Sequence, residues 1–365
     1  MGAGLRELGE LRELLWSLLG VRCVSGFEEP MIEWLLGRLG SLCDEVWQTP
    51  RGNVVGVQRG VDEEAPRVAL AAHMDQVGFV VFSVDDRGFL RFRRVGGSVL
   101  GAVQGQVVWV HGLKGVVPGV VGVRPGHMTR GEEAFRVPPV ERLYIDVGAG
   151  SREEAEEMGV VVGCPVSWGG GPVELGGSLV AAPGADDRAG LASILTVAKA
   201  LSGRRVDATV YYVGTVEEEI GLRGAAVALH GLDVDMAVAV DTCPSGYQPD
   251  VDPLEVVYEV GKGPALQVGE MGSRMAFGHR VLVEWLWETA RSHGLPIQRG
   301  VMHGGTDASA MSQTGGGVPS VAFSIPRRYS HSPVEVFSLL DLYHHAQILE
   351  LAVQGLSRDF KLLRV

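Results

Sequence analysis

The chain has 365 residues, 46% hydrophobic and 21% charged, with a net charge of -12. This composition excludes a disordered chain, and the acidity argues against non-specific nucleic-acid binding and gives no reason to expect an anionic membrane surface as partner. The length allows one large α/β domain with a smaller second one, and no window approaches the roughly eighteen uninterrupted apolar residues of a membrane span.

The first segment, "MGAGLRELGELRELLWSLLG", has leucines at helical spacing with Arg and Glu between them. It predicts an amphipathic helix rather than the apolar core of a signal peptide. Arg6 stands at the Ser/Thr position of a myristoylation pattern, so that reading fails. A cytoplasmic protein is expected. None of the cysteines Cys23, Cys43, Cys164 and Cys243 forms a Cys-x-x-Cys pair, which argues against a thiolate zinc site. Cys23 with Cys43 is left open as a disulfide, should the source be a hyperthermophile. A single asparagine, Asn53, points toward a thermophile, while the excess of Arg over Lys fits either a thermophile or the base composition of the genome.

"SGFEEPMIEWLLGRLG" predicts a helix opened by a capping box from Ser25 to Glu28. The strands "NVVGVQRG" and "RVALAAH" follow. From 77 to 171 the texture changes to short β-rich runs cut by Gly and Asp-Arg-Gly turns, with one short helix capped by Ser151. That predicts a small barrel or sandwich inserted between residues 1–76 and 172–365. Beyond it, "GLASILTVAKAL", "GAAVALHGL", "HRVLVEWLWETARSHG" and "LLDLYHHAQILELAVQGL" read as helices. They alternate with the strands "DATVYYVGT", "MAVAVD" and "VPSVAFSIP". The expected fold class is α/β, a mainly parallel central sheet with helices on both faces.

Titratable residues recur at the predicted carboxyl ends of these strands. "RVALAAH" ends in His73, with Asp75 two places on; "ATVYYVGTV" runs into Glu217, Glu218 and Glu219; "MAVAVD" ends in Asp241; "VPSVAFSIPRRYSH" leads to His331; Asp186 and Asp187 precede a helix. Singly, each has a plain structural explanation: turn residue, N-cap, solvated charge run. Ligands of open α/β sheets, however, bind beyond the carboxyl ends of the strands, where residues distant in sequence converge. Two histidines and several carboxylates make a nitrogen-and-oxygen donor set suited to zinc, cobalt or manganese. The set also has enough carboxylates both to bridge two cations about 3.5–4 Å apart and to leave one over as a base.

"AAHMDQVGFVV", "GADDRAG", "TVEEEIGLRGA", "AVDT", "HGGTDAS" and "RRYSHSPVEV" resemble, in this order, the motifs of the TET-type aminopeptidases, metallopeptidase family forty-two, also called glutamyl aminopeptidase or cellulase-M-like. The resemblance covers nearly the whole chain. It implies a peptidase domain carrying an inserted β-barrel, PDZ-like dimerisation domain, and two divalent metal ions per subunit, zinc or alternatively cobalt. His73 and Asp241 would be terminal ligands of one metal, Glu219 and His331 of the other, with Asp186 bridging. Glu218 would be the general base, and Asp75 would fix the tautomer of His73. The chain departs from the family pattern at Gln76, Glu217 and Ser309, none of them a predicted ligand.

The implied activity is removal of N-terminal residues from short peptides, within homodimers that build a hollow dodecamer. No nucleic-acid or membrane partner is expected. His303 and Asp307 are candidates for substrate contact, while Arg327, Arg328 and the loop from Gly300 to Ser309 are candidates for setting the preferred N-terminal residue. Two alternatives are a carboxypeptidase or deacylase of the same clan, and an endoglucanase. In the first, the insertion usually follows the glutamate pair, whereas here it precedes Asp186. The second would leave His73 and His331 unexplained.

Overall fold

The computed structural model describes residues 2–132, 136–272 and 275–363. Its larger sheet has twelve strands. At the centre, Thr209–Thr215, Arg67–His73, Met236–Pro244 and Ser320–Arg328 lie side by side, all parallel. Antiparallel strands flank them: Val54–Gln58 and Glu45–Gln48 on one side, Glu335–Ser338, Leu179–Ala182 and Val173–Glu174 on the other. Ala265–Glu270 and Gln298–Met302, strands the periodicity did not separate, extend the sheet from Ser320–Arg328.

The strand Arg67–His73 shows how sequence becomes packing. Side chains alternate between faces along a strand. Val68, Leu70 and Ala72 join the core formed with the long helices Gly2–Leu19, Glu29–Gly40, Ala185–Leu201 and Leu339–Gln354. Ala69 and Ala71 face the opposite way, into a smaller cluster with the short helices Ala225–Ala228 and Asp307–Met311. Small side chains on that face let Asp307–Met311 lie close to the sheet. Both faces are covered, which is why the central strands read as unbroken apolar runs.

The second body is a closed barrel of six strands, in the order Gly78–Val84, Leu90–Val95, Ile145–Asp146, Gly115–Val121, Val107–Gly112 and Pro165–Trp168. It has its own core, in which Phe79 meets Phe92 and Trp168 edge-on at 5.0 and 4.9 Å. Among the described residues no helix is long and apolar enough to cross a membrane.

Two local expectations fail. The capping box at Ser25 does not form: the helix starts at Glu29 with Glu28 as its N-cap. Ser25 instead donates to the carbonyl of Gln76, and the Glu28 carboxylate accepts from the backbone of Gly26 and of Glu217. Tertiary contacts have taken both side chains that the box would use. The helix expected over "GAAVALHGL" is only Ala225–Ala228, because the chain turns at Gly231 (φ +79°) to enter the strand at Met236. All four cysteines are unpaired.

Candidate metal centre

In the parallel register His73 stands beside Thr215, and Asp241 beside Ser324. The carboxyl ends of the four central strands therefore deliver His73, Glu217 to Glu219, Asp241 and the segment from Arg327 to His331 to one place. Asp186 and Asp187 arrive from the front of the helix Ala185–Leu201, in non-helical conformation and joined by a cis peptide bond.

Asp186 lies at the middle. Its Oδ1 is 3.2 Å from His73 Nε2 and its Oδ2 is 3.3 Å from His331 Nε2, so one carboxylate faces both imidazoles with different oxygens. His331 Nε2 is also 3.3 Å from Glu219 Oε2, and His73 Nε2 is 3.9 Å from Asp241 Oδ1. Among the described residues, three sets of side chains stand close enough to share a cation: His73, Asp187 and Asp241; His73, Glu218 and Glu219; Asp186, Glu219 and His331. Asp187 Oδ1 accepts from the Gly190 backbone, in the manner of a cap, while its Oδ2 has no partner. Glu219 Oε1 is likewise unpartnered. Buried acceptors without donors are costly, and two of them at a cluster of carboxylates and imidazoles fit the binding of a cation there.

The electrostatics agree. Burial would lower the pKa of both histidines, but the hydrogen bonds they donate, both to Asp186, His73 also to Asp75 and His331 also to Glu219, outweigh it. His73 is held well above its usual value and His331 is raised to about 10. Burial drives Glu218 and Asp241 well up, helped by neighbouring carboxylates. Asp186 goes the other way: burial opposes ionisation, but Arg327, His331 and His73 hold its pKa well below the carboxylate range. So much buried negative charge raises the proton affinity of the imidazoles even with Arg327 beside Asp186; a dication satisfies it better.

Asp75 does more than the sequence suggested. His73 Nδ1 is 3.1 Å from the Asp75 carbonyl and 3.3 Å from its Oδ1, which leaves Nε2 to face Asp186. The same carboxylate also accepts from the backbone N–H of Glu218 (3.0 Å) and of Glu219 (3.1 Å). One buried residue thus orients an imidazole and both glutamates. The third glutamate is a different case. Glu217 has φ +54°, and its side chain turns away to pair with Arg51 and, at 3.8 Å, with Arg223.

Asp307 is drawn in from the other face, where Thr215 donates to its Oδ2; burial raises its pKa to about 6. His303 is exposed on the loop after Gln298–Met302 and belongs to none of the three cation-sharing sets. Sequence reasoning missed several supports. Thr242 donates to Asp186 Oδ1 at 2.9 Å. The Arg188 guanidinium donates to the carbonyl of Met74, next to His73. Glu335 accepts from the backbone N–H of Asp186 and of His331. Arg327, an expected specificity residue, is only 3% exposed and binds Asp186. Only the run of polar residues around "RRYSHSPVE" hinted at the last two. The barrel contributes as well: Val99 N–H donates to the His331 carbonyl, and a Cβ on Gly97 would come within 3.0 Å of His331 Nδ1.

A mixed sheet with carboxylates and imidazoles gathered at its parallel strand ends is the frame of a metal-dependent hydrolase. The profile of the M42 glutamyl aminopeptidases matches residues 52–348. The lysyl aminopeptidase of Pyrococcus furiosus is 34% identical over 334 residues, covering 90% of this chain and 93% of its own. Among solved structures, aminopeptidase APDkam598 from Desulfurococcus kamchatkensis superposes with a TM-score of 0.91 at 33% identity, with 97% of each chain covered. The TET1 peptidase of Pyrococcus horikoshii gives 0.85 at 30% identity, covering 94% of this chain and 99% of its own. The chain belongs to the M42 glutamyl aminopeptidase family and is a peptide hydrolase.

Proposed function

We propose that the chain is a two-metal aminopeptidase that removes single residues from the N-termini of short peptides. The observation that carries this reading is Asp186, whose two oxygens face His73 and His331 separately at 3.2 and 3.3 Å. His73 and Asp241 would hold one divalent cation, Glu219 and His331 the other, with Asp186 between them; zinc suits this donor set and cobalt is the alternative. When bound, the pair supplies a water activated near neutral pH and Lewis-acid polarisation of the scissile carbonyl.

The remaining chemistry belongs to side chains. Glu218 takes the proton from the attacking water and returns it to the leaving amine. Asp75 fixes His73 and the backbone of the glutamate pair. Asp307, and His303 from its loop, would stand on the substrate side. Metal analysis after chelation tests the reading: activity on aminoacyl-p-nitroanilides should vanish on chelation and return with zinc or cobalt at two ions per chain. Full activity in the stripped protein would end it.

The barrel, inserted over 77–171, would be the dimerisation unit of a larger hollow assembly in the cytoplasm. The Pyrococcus horikoshii TET1 peptidase can assemble into a tetrahedron or a large octahedral shell, and the barrel carries apolar side chains facing outward, Leu113 at 80% exposure and Val162 at 63%. Light scattering that finds a stable monomer would remove this part alone.

A further inference from the structure

The site contains a cation of its own. Arg327 comes from the strand Ser320–Arg328, is 3% exposed, and places its guanidinium against Asp186 Oδ2, the oxygen that also faces His331. It is held from two other sides. Its Nη1 donates to Ser330 Oγ at 2.6 Å, and its Nε lies 3.4 Å from Glu335 Oε1. Glu335 is 2% exposed, and its two oxygens accept from the backbone of His331 at 2.7 Å and of Asp186 at 3.1 Å. Arg327 and Glu335 therefore close a ring around two of the residues assigned to the second metal position.

Resting on the two-metal reading above, we propose that Arg327 is a positioning residue that acts as a resident counter-ion: it holds Asp186 in place before metal arrives and then competes with the second cation for Asp186 Oδ2. The first half follows from charge. Asp186, Asp187, Asp241 and Glu335 are all buried here, and a buried carboxylate with no cation beside it is strongly disfavoured. The second half follows from the chemistry of guanidinium. An arginine keeps its proton when a dication approaches. Its charge stays, drawing electron density from the shared oxygen and repelling the incoming ion. The position formed by Asp186, Glu219 and His331 is thereby preorganised but weakened, and Glu335 is the partner to which the guanidinium can lean when metal takes Oδ2.

This gives a sign that a merely structural role does not. Removing a residue that only shapes a metal site loosens metal; removing a competitor tightens it. Chelator-stripped wild type and Arg327→Met are titrated with Co²⁺ alone, read by visible absorption and calorimetry. The expected result is that the second cobalt equivalent binds at least tenfold more tightly to Arg327→Met. Arg327→Lys, which keeps the charge, stays near wild type. The stripped Arg327→Met should also melt lower than stripped wild type, so its cobalt-induced rise in Tm is larger. Equal or weaker cobalt binding by a variant whose circular dichroism is native overturns the proposal. If Arg327→Met does not fold without metal, Arg327→Gln makes the same comparison. Failure of wild type and variant alike to take up cobalt overturns the two-metal reading and this one with it.

Discussion

Two histidine environments in this chain, one in the core beside Phe323 and one at the carboxyl ends of the central strands, are built on opposite principles. His345, fully buried in the helix Leu339–Gln354, stacks on Phe323 with ring centroids 4.1 Å apart. Its Nε2–H donates to the Phe323 carbonyl at 3.0 Å, and its Nδ1 accepts from Ser193 Oγ at 2.7 Å. Every polar atom is satisfied within the chain, and burial pushes its pKa down to about 3. His73 and His331 face carboxylates instead, with acceptor atoms left over at Glu219 and Asp187, and their pKa values are driven up. The difference teaches how to read buried polar groups. A network closed within the chain is scaffold, whereas a network left open toward one point calls for a ligand there.

The strongest test of the open network is the base. Glu218→Gln keeps the shape and removes the proposed proton acceptor. We expect turnover of aminoacyl-p-nitroanilides to fall by about 10²–10⁴-fold, with metal content by atomic absorption unchanged. A variant turning over at the wild-type rate would mean another group carries the proton. Next in size is Asp75→Asn. Its amide can accept at only one oxygen, so one of the N–H groups of Glu218 and Glu219 loses its partner, and the hold on His73 Nδ1 is altered. The loss expected for such a supporting residue is about 10–100-fold in activity or metal affinity. Activity and metal uptake both within twofold of wild type would show that the backbone of the glutamate pair needs no such anchor.

These two residues also mark what was legible in the sequence. The parallel core was readable because covered strands carry continuous apolar runs, and the convergence of His73, Glu218, Glu219 and Asp241 was readable because they stand at the ends of those runs. Asp75 was visible as a neighbour of His73, but its capping of Glu218 and Glu219 was not, since that contact spans 143 residues in one case and 144 in the other. Arg327 was misleading for a related reason. In "RRYSH" it reads as a loop charge, yet the strand continues to Arg328, and the alternation of a strand turns Arg327 inward while Arg328 is partly exposed. Contact with Asp186, 141 residues away, then decides its role. Local signals failed where long-range partners claimed the same atoms, as at Ser25 and Glu28.

The closed network is tested by pH. Folded His345 refuses a proton down to about pH 3, whereas in the unfolded chain it titrates near about 6.5. As pH falls through that interval the unfolded state binds a proton that the native state does not, so stability is lost, at a slope of up to about 1.4 kcal/mol per pH unit. His345→Gln, whose amide can still donate to Phe323 and accept from Ser193, should lack this contribution. Urea denaturation at pH 7 and pH 5 reads it as a smaller loss in the variant than in wild type, by about 2 kcal/mol. Equal losses would mean that His345 is already charged in the fold, and that its network is not closed.

The smallest effect is expected at Glu217, which stands beside the open network without belonging to it. Its side chain points to Arg51 and Arg223, both of which are substantially exposed, and an ion pair of that kind contributes about 0–1 kcal/mol. What ties Glu217 to the site is its backbone, at φ +54° with its N–H on Glu28, which turns the chain so that the next two N–H groups meet Asp75. Glu217→Gln should therefore leave activity within about twofold and shift stability by no more than about 1 kcal/mol in thermal melting. Glu217→Gly accepts the left-handed backbone more readily than any other residue, so it too should keep the glutamate pair in place. A tenfold fall in kcat/KM for Glu217→Gln with an unchanged Tm would put its carboxylate among the groups that meet the substrate, and the boundary drawn here between scaffold and site would move by one residue.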